Sequence, residues 1–176
     1  EYKNEPLADF ARAENRDAMA KALHEIPRHL GKHYAAVIDN ADVKAPEWID
    51  SVNPSHSKQL VGKVANCSIE MANTAVASAV KAFDGWRDTP VSERAAFLRR
   101  VADRLRARRW ERNAWIVTEV GKPWREADAD VAEAIDFCTY YASEAERLQW
   151  LEHHEGPLPE PQDLPYPRKL PRASEL

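Results

Sequence analysis

Glycine is scarce in this chain. Only five occur in 176 residues, Gly31, Gly62, Gly85, Gly121 and Gly156, all far apart. A dinucleotide fingerprint or a P-loop clusters glycines so that backbone N–H groups can approach phosphate. Neither motif can be written here. Cysteine is equally sparse: Cys67 and Cys138 stand alone, without metal-ligand spacing. That usage fits a reducing compartment and leaves one disulfide open. No apolar run approaches the ~18 residues of a membrane span. The start, Glu1-Tyr2-Lys3-Asn4-Glu5, lacks the apolar stretch of a signal peptide. It also lacks an initiator Met, so a processed or incomplete chain is expected. No charge excess points to a polyanionic partner either. With 25 Lys+Arg against 29 Asp+Glu the net charge is −4, which argues against generic affinity for nucleic acid or anionic membrane.

What is present is helix and punctuation. Six of the twelve prolines, Pro157, Pro159, Pro161, Pro165, Pro167 and Pro171, fall near the end. Residues 151–176 therefore read as an extended tail, poorly ordered on its own. Residues 1–33 read as a polar lead with one helix. Asn15 is its expected N-cap, Ala18, Ala22 and Ile26 its weak stripe, and Pro27 and Gly31 its stop. Residues 34–150 read as a small antiparallel sheet plus three helices. Tyr34 to Val43 reads as a hairpin around Asp39-Asn40, Trp48 to Val52 as a strand stopped by Asn53-Pro54, and Leu60 to Val64 as a third strand.

Ser68 is expected to cap a helix with one apolar face: Ile69, Ala72, Val76, Ala79, Val80 and Phe83. Ser92 is expected to cap the next, whose stripe of Phe97, Val101 and Leu105 resumes at Ile116 and Val120 before Gly121. The last, about Trp124 to Trp150, carries Val131, Ala134, Ile135, Cys138, Ala142 and Ala145. Periodicity alone thus gives an α+β chain of amphipathic helices with a small sheet.

Four constellations could carry chemistry. Arg99, Arg100, Arg104, Arg106, Arg108, Arg109 and Arg112 lie near Trp110 and Trp115. Such a run could grip phosphate, but Asp103 and Glu111 interrupt it, and Glu126, Asp128, Asp130, Glu133 and Asp136 offer counter-charge. A solvated, ion-paired face is the primary expectation. Asp130, Glu133 and Asp136 are spaced i,i+3, as in carboxylate acid–base pairs or metal sites. No His shares the segment, so ordinary solvated carboxylates are the plainer reading. Cys138 lies on an apolar stripe and reads as an inert core thiol, while Cys67 precedes a helix start without a base. His24, His29 and His33, and the adjacent His153 and His154, have no ligand spacing. No catalytic, cofactor-binding or metal-binding residue follows from spacing.

Three stretches together carry a resemblance: Asn4-Glu5-Pro6-Leu7, Ser51-Val52-Asn53-Pro54-Ser55, and above all Glu119-Val120-Gly121-Lys122-Pro123-Trp124. The last continues through Glu126 and Asp130-Val131-Ala132-Glu133 to Tyr140-Tyr141-Ala142. From about residue 3 to 148 the chain resembles the N-terminal part of the aldehyde dehydrogenase superfamily. It is most similar to the branch that oxidises L-glutamate γ-semialdehyde (1-pyrroline-5-carboxylate). After Leu148 the likeness is expected to end. The resemblance implies part of an aldehyde dehydrogenase-like α/β fold and a parent enzyme of proline catabolism that forms glutamate with NAD. It also implies a small-molecule aldehyde substrate, a homo-oligomer, and a bacterial cytoplasm or a mitochondrial matrix.

The family's nucleophilic Cys in a Gly-Gln-x-Cys-like context, its Asn in Pro-Trp-Asn-Phe-Pro and its Glu in Glu-x-Gly-Gly-Lys do not occur here. The chain alone is therefore expected to be inactive and without NAD. One residue carries over: Glu133 matches a carboxylate lining the aldehyde entrance, near the substrate's charged end. Glu119 lies near a weaker match, a cation site in some relatives. The alternative is a non-catalytic helical module for self-association or protein interaction.

Overall fold

The computed structural model describes residues 2–153; the proline-rich stretch expected to form a tail lies almost wholly outside them. The element order is α1 (Ala13–Glu25), a 3-10 turn (Ile26–His29), β1 (Lys32–Tyr34), β2 (Ala36–Ile38), β3 (Ala41–Val43), β4 (Glu47–Val52), β5 (Leu60–Asn66), α2 (Ile69–Arg87), α3 (Val91–Ala107), α4 (Arg109–Val120) and α5 (Trp124–His153). These form two compact units. One comprises residues 7–89 and 107–131, the other residues 2–6, 90–106 and 132–153.

In the first unit, α1 starts earlier than expected. Arg12 occupies the N-cap position without a side-chain bond. Asn15 lies inside the helix, and its Nδ2 reaches back to the Asp9 carbonyl at 2.8 Å. Its side chain secures the approach to the helix rather than the helix end. Pro27 does end the α-helix, converting its last turn to 3-10, and Gly31 follows with φ +74°. The core is Met19, Ile26 and Ala114, ringed by Phe10, Ala22, Trp110, Trp115 and Trp124. Met19, absent from the expected stripe, is fully buried. Phe10 meets the Trp110 ring edge-on at 6.2 Å and the Trp124 ring at 5.8 Å; such pairs add to simple area burial.

The segment expected to form one hairpin arm splits at Ala35. β2 and β3 pair antiparallel around Asp39 and Asn40, both at positive φ, +53° and +59°. That is the left-handed pair a tight hairpin turn requires, and Asp and Asn tolerate it best after glycine. β1 goes elsewhere, pairing parallel to β5 with Tyr34 opposite Val64. β4 pairs antiparallel to the other edge of β5, with an irregularity between Ser51 and Val52. The three-stranded sheet β1-β5-β4 is thus mixed, beside a separate two-stranded β2-β3 ribbon. Lys63 and Asp50, directly opposite, pair at 2.8 Å. Buried Asn53 closes the β4–β5 connection by donating to Gln59 Oε1 at 2.8 Å and accepting from the Ser55 amide at 2.9 Å.

Ser68 caps α2 as expected, its Oγ accepting from the Met71 amide at 3.3 Å. Yet no residue of α2 is buried. The predicted apolar face exists and is uncovered: Ile69, Val76, Val80 and Phe83 are 57–77% exposed.

The long helix expected from Ser92 to Val120 is two helices, α3 and α4, so residues 34–150 hold four helices rather than three. The chain breaks at Arg108 (φ −116°, ψ 23°). Ser92 falls inside α3; the Pro90 carbonyl accepts from the Glu93 and Arg94 amides, so the helix begins one residue before the serine. In the second unit the buried positions of α3 are the small Ala95 and Ala102, while Phe97 and Val101 are exposed. Alanine permits close backbone approach where a phenyl group does not, which inverts the stripe read from residue size. On α5, Ala132, Ile135 and Ala142 are buried. Arg99 binds Glu146 through two bonds of 2.6 and 2.7 Å.

Gly121 ends α4 in the left-handed region, φ +79°, its amide bonded to the Val117 carbonyl at 3.1 Å. A Cβ there would lie 2.9 Å from Cγ of Pro54. Gly121→Ala is therefore expected to lower stability by at least the ~1–2 kcal/mol of a left-handed L-residue, read as a reduced urea midpoint with an unchanged slope.

Candidate functional site

The carboxylates at the start of α5 are spaced alike in sequence but differ in what holds them. In the first unit, Asp128 is buried, with a side chain 1% exposed. Arg109 grips it through Nε at 2.7 Å and Nη2 at 2.6 Å. Asn113 Nδ2 donates at 2.9 Å and the Ala8 amide at 2.7 Å. Burial on its own raises the Asp128 pKa. The bonds from Arg109, Ala8 and Asn113 outweigh it and hold the carboxyl below its ordinary value. Asp128 therefore stays ionised and is fully occupied as a structural anion.

Asp130 is also engaged: Lys122 Nζ donates to it at 2.6 Å. Glu119, the weaker match, accepts from Ser51 Oγ at 2.8 Å.

In the second unit, Asp136 anchors the N-terminal lead. It accepts from Asn4 Nδ2 at 2.9 Å and from the Glu5 amide at 2.7 Å. Burial, reinforced by Asp136, pushes the Tyr2 hydroxyl up to about 12. Glu133 is the exception among these acids. It is exposed on α5, and its carboxylate has no hydrogen bond or ion pair among the described residues. The i,i+3 set thus offers a single carboxylate free for an external ligand.

The basic run is largely consumed by carboxylates, as its interruption by acids suggested. Arg106 binds Glu5 at 2.8 Å and Asp103 at 3.1 Å. Arg108 binds Glu111 at 2.8 and 2.5 Å, which lowers the Glu111 pKa. What sequence spacing did not distinguish is the role of Arg109 and Asp128, read as ordinary members of charge runs. The available signal was that each lies beside apolar positions of its own helix.

No cysteine chemistry assembles. Both thiols are free; Cys67 is exposed with its Sγ 3.7 Å from the Ala65 carbonyl, and Cys138 is half-buried on α5. Among the described residues no group of three His, Cys, Asp or Glu side chains could hold a metal ion, and no helix is long and apolar enough to cross a membrane.

Comparison with known proteins gives this geometry its context. The sequence profile of the Aldehyde dehydrogenase family matches residues 40–171. That match passes beyond Leu148, where the likeness was expected to stop, so it takes in most of the proline-rich stretch. The chain is 47% identical over 141 residues to 1-pyrroline-5-carboxylate dehydrogenase 2 of Bacillus subtilis, covering 80% of this chain and 27% of that protein. It is 43% identical over 148 residues to 1-pyrroline-5-carboxylate dehydrogenase of Geobacillus kaustophilus, covering 84% and 29%. The fold superimposes on a 1-pyrroline-5-carboxylate dehydrogenase variant of Thermus thermophilus with a TM-score of 0.84 and 40% identity, over 90% of this chain and 31% of that one. A Thermus 1-pyrroline-5-carboxylate dehydrogenase with bound NAD gives a TM-score of 0.83. The chain thus spans under a third of the length of these relatives.

The Asp128 cluster predicts a specific acid response. A depressed carboxyl pKa contributes stability that is full above the unfolded value, ~3.9, and is lost as pH falls through the folded value. Asp128→Ala removes the buried acceptor that Arg109, Asn113 and the Ala8 amide share, so it is expected to cost about 3–5 kcal/mol at pH 7. Chemical denaturation from pH 7 to 2 should show the gap between the two proteins narrowing below pH ~4.

Proposed function

The chain belongs to the aldehyde dehydrogenase family, and from that premise we propose that it is the N-terminal segment of an NAD-dependent dehydrogenase of proline catabolism. The enzyme oxidises L-glutamate γ-semialdehyde, the open form of 1-pyrroline-5-carboxylate, to glutamate in a reducing, cytoplasmic-type compartment. Support comes from relatives of that name at 43–47% identity and from the free carboxylate of Glu133 on α5. The substrate carries an ammonium group, and an exposed, unpaired carboxylate is the complementary charge for it. Glu133 thus holds the charged end of the substrate at the entrance and takes no part in bond-making.

NAD supplies the hydride acceptor when bound. The residues present here do not fit it. Gly85 lies within α2, Gly62 within β5, and Gly31 and Gly121 at separate helix ends. Among the described residues, none of these glycines makes a loop of amides ahead of a helix N-terminus. We assign neither cofactor nor nucleophile to this segment and expect it alone to be inactive.

The uncovered face of α2 favours a second reading, association of this chain with another copy or protein through Ile69, Val76, Val80 and Phe83. Sedimentation across a hundredfold concentration range separates the two. A compact monomer throughout removes the association reading.

Two assays test the enzymatic reading. The 176-residue chain, given NAD and 1-pyrroline-5-carboxylate, should not exceed a buffer blank; turnover above it refutes the inactivity. In a family-length enzyme carrying this segment, Glu133→Gln should raise KM by ~3–10-fold and leave kcat within about twofold, the pattern of lost uniform binding. An unchanged KM removes Glu133 from the substrate path.

A further inference from the structure

The first unit holds a cleft of about 710 Å3 between the three-stranded sheet and α4, a volume typical of small-molecule sites. Its electrostatics are unbalanced. Lys32, Arg108 and Arg112 line it, with His29 beside them, against the carboxylates of Glu111 and Glu119. Both carboxylates are committed within the walls: Glu111 to the two bonds from Arg108, Glu119 to the Ser51 hydroxyl. The Arg112 guanidinium donates no hydrogen bond among the described residues, although it feels the field of Glu111. Among the described residues Lys32 Nζ forms no ion pair with an acid; its neighbour is His29 Nδ1 at 3.4 Å. Two cations and an imidazole therefore face one cavity, and the acid nearest Arg112 and His29, Glu111, is already held by the two bonds from Arg108.

The remaining walls are flat and apolar. Tyr34, on β1, and Trp115, on α4, line the same cavity, with Val61 and Val64 of β5. Gly62 lies between those valines on β5. A Cβ on Gly62 would come within 3.0 Å of the Tyr34 ring and 3.2 Å of the Lys32 carbonyl. The missing side chain is what lets the tyrosine ring lie against the strand and keeps the cavity open.

The geometry points to a binding site for a small organic anion, one phosphate or carboxylate on a flat apolar body. The anionic group is held by Lys32, Arg112 and His29. The body rests against Tyr34. This inference goes beyond the dehydrogenase reading and uses none of its residues.

The test is titration of the 176-residue chain at low salt with phenyl phosphate, benzoate and inorganic phosphate, followed by calorimetry and amide NMR. Saturable binding of phenyl phosphate or benzoate is expected, tighter than that of inorganic phosphate by ~5-fold or more through the apolar body. Whichever of the two binds tighter identifies the anionic group. Lys32→Met and Arg112→Met should each weaken binding by ~10-fold, the worth of a charge-assisted bond. Arg104→Met, an exposed cation that does not line the cleft, should leave it unchanged. Tyr34→Ala should erase the advantage over inorganic phosphate. Circular dichroism confirms that each variant is folded. Absence of saturable binding by any probe overturns the site. So does equal weakening by Arg104→Met, which marks diffuse charge attraction, or a Kd unmoved by both Lys32→Met and Arg112→Met. Inorganic phosphate binding as tightly as phenyl phosphate overturns the apolar subsite.

Discussion

A buried carboxylate organises the first unit. Asp128 is out of water, and an isolated ion there would be too costly to keep. It is kept because donors from two segments converge on it: Arg109 and Asn113 from α4, and the Ala8 amide from the polar lead. Each donor satisfies part of the anion, and the anion in return fixes where each segment lies. Phe10, two residues beyond Ala8, is thereby held where it meets Trp110 and Trp124. The polar anchor comes first in this logic and the aromatic packing follows. Apolar contacts are tolerant of direction, whereas a bidentate guanidinium–carboxylate pair with two further donors is not.

The second unit repeats the device at a partly exposed site. Asp136 takes the Asn4 side chain and the Glu5 amide, and Glu5 itself takes Arg106. The lead, which by composition is merely polar, is ordered through carboxylates at both of its ends. Glycine scarcity is consistent with this economy. Among the described residues, left-handed positions are confined to Gly31, Gly121 and the Asp39-Asn40 turn, and no backbone cradle for phosphate results.

The sequence revealed apolar periodicity more readily than burial. Ser68 as a cap, Gly121 as a left-handed stop, Pro27 as the end of α1 and the α5 stripe are local features, set by hydrogen bonding and dihedral preference within a few residues. The structure carries all of them. The departures are non-local. Phe97 and Val101 look like a core face, yet Ala95 and Ala102 are buried, because only packing decides between a large side chain and a close approach. β1 left the expected hairpin because its partner, β5, lies about thirty residues further on. Among the acids, spacing placed Asp130, Glu133 and Asp136 together, and a resemblance singled out Glu133. Only the fold brings Lys122 to the first and the lead to the last.

The uncovered face of α2 follows from the same distinction and has an energetic consequence. Its nineteen residues are well capped, and its stripe repeats at helical spacing, yet none of them is buried. Helices in proteins draw most of their stability from packing an apolar face rather than from intrinsic propensity. Each exposed Val, Ile or Phe here forgoes about 1.5–3 kcal/mol that full burial would contribute. The gain from covering even two of them rivals a sizeable share of the stability of a small domain. The stripe of α2 is therefore a demand for a contact as much as a description of a helix. Its fulfilment couples the order of α2 to whatever surface meets it.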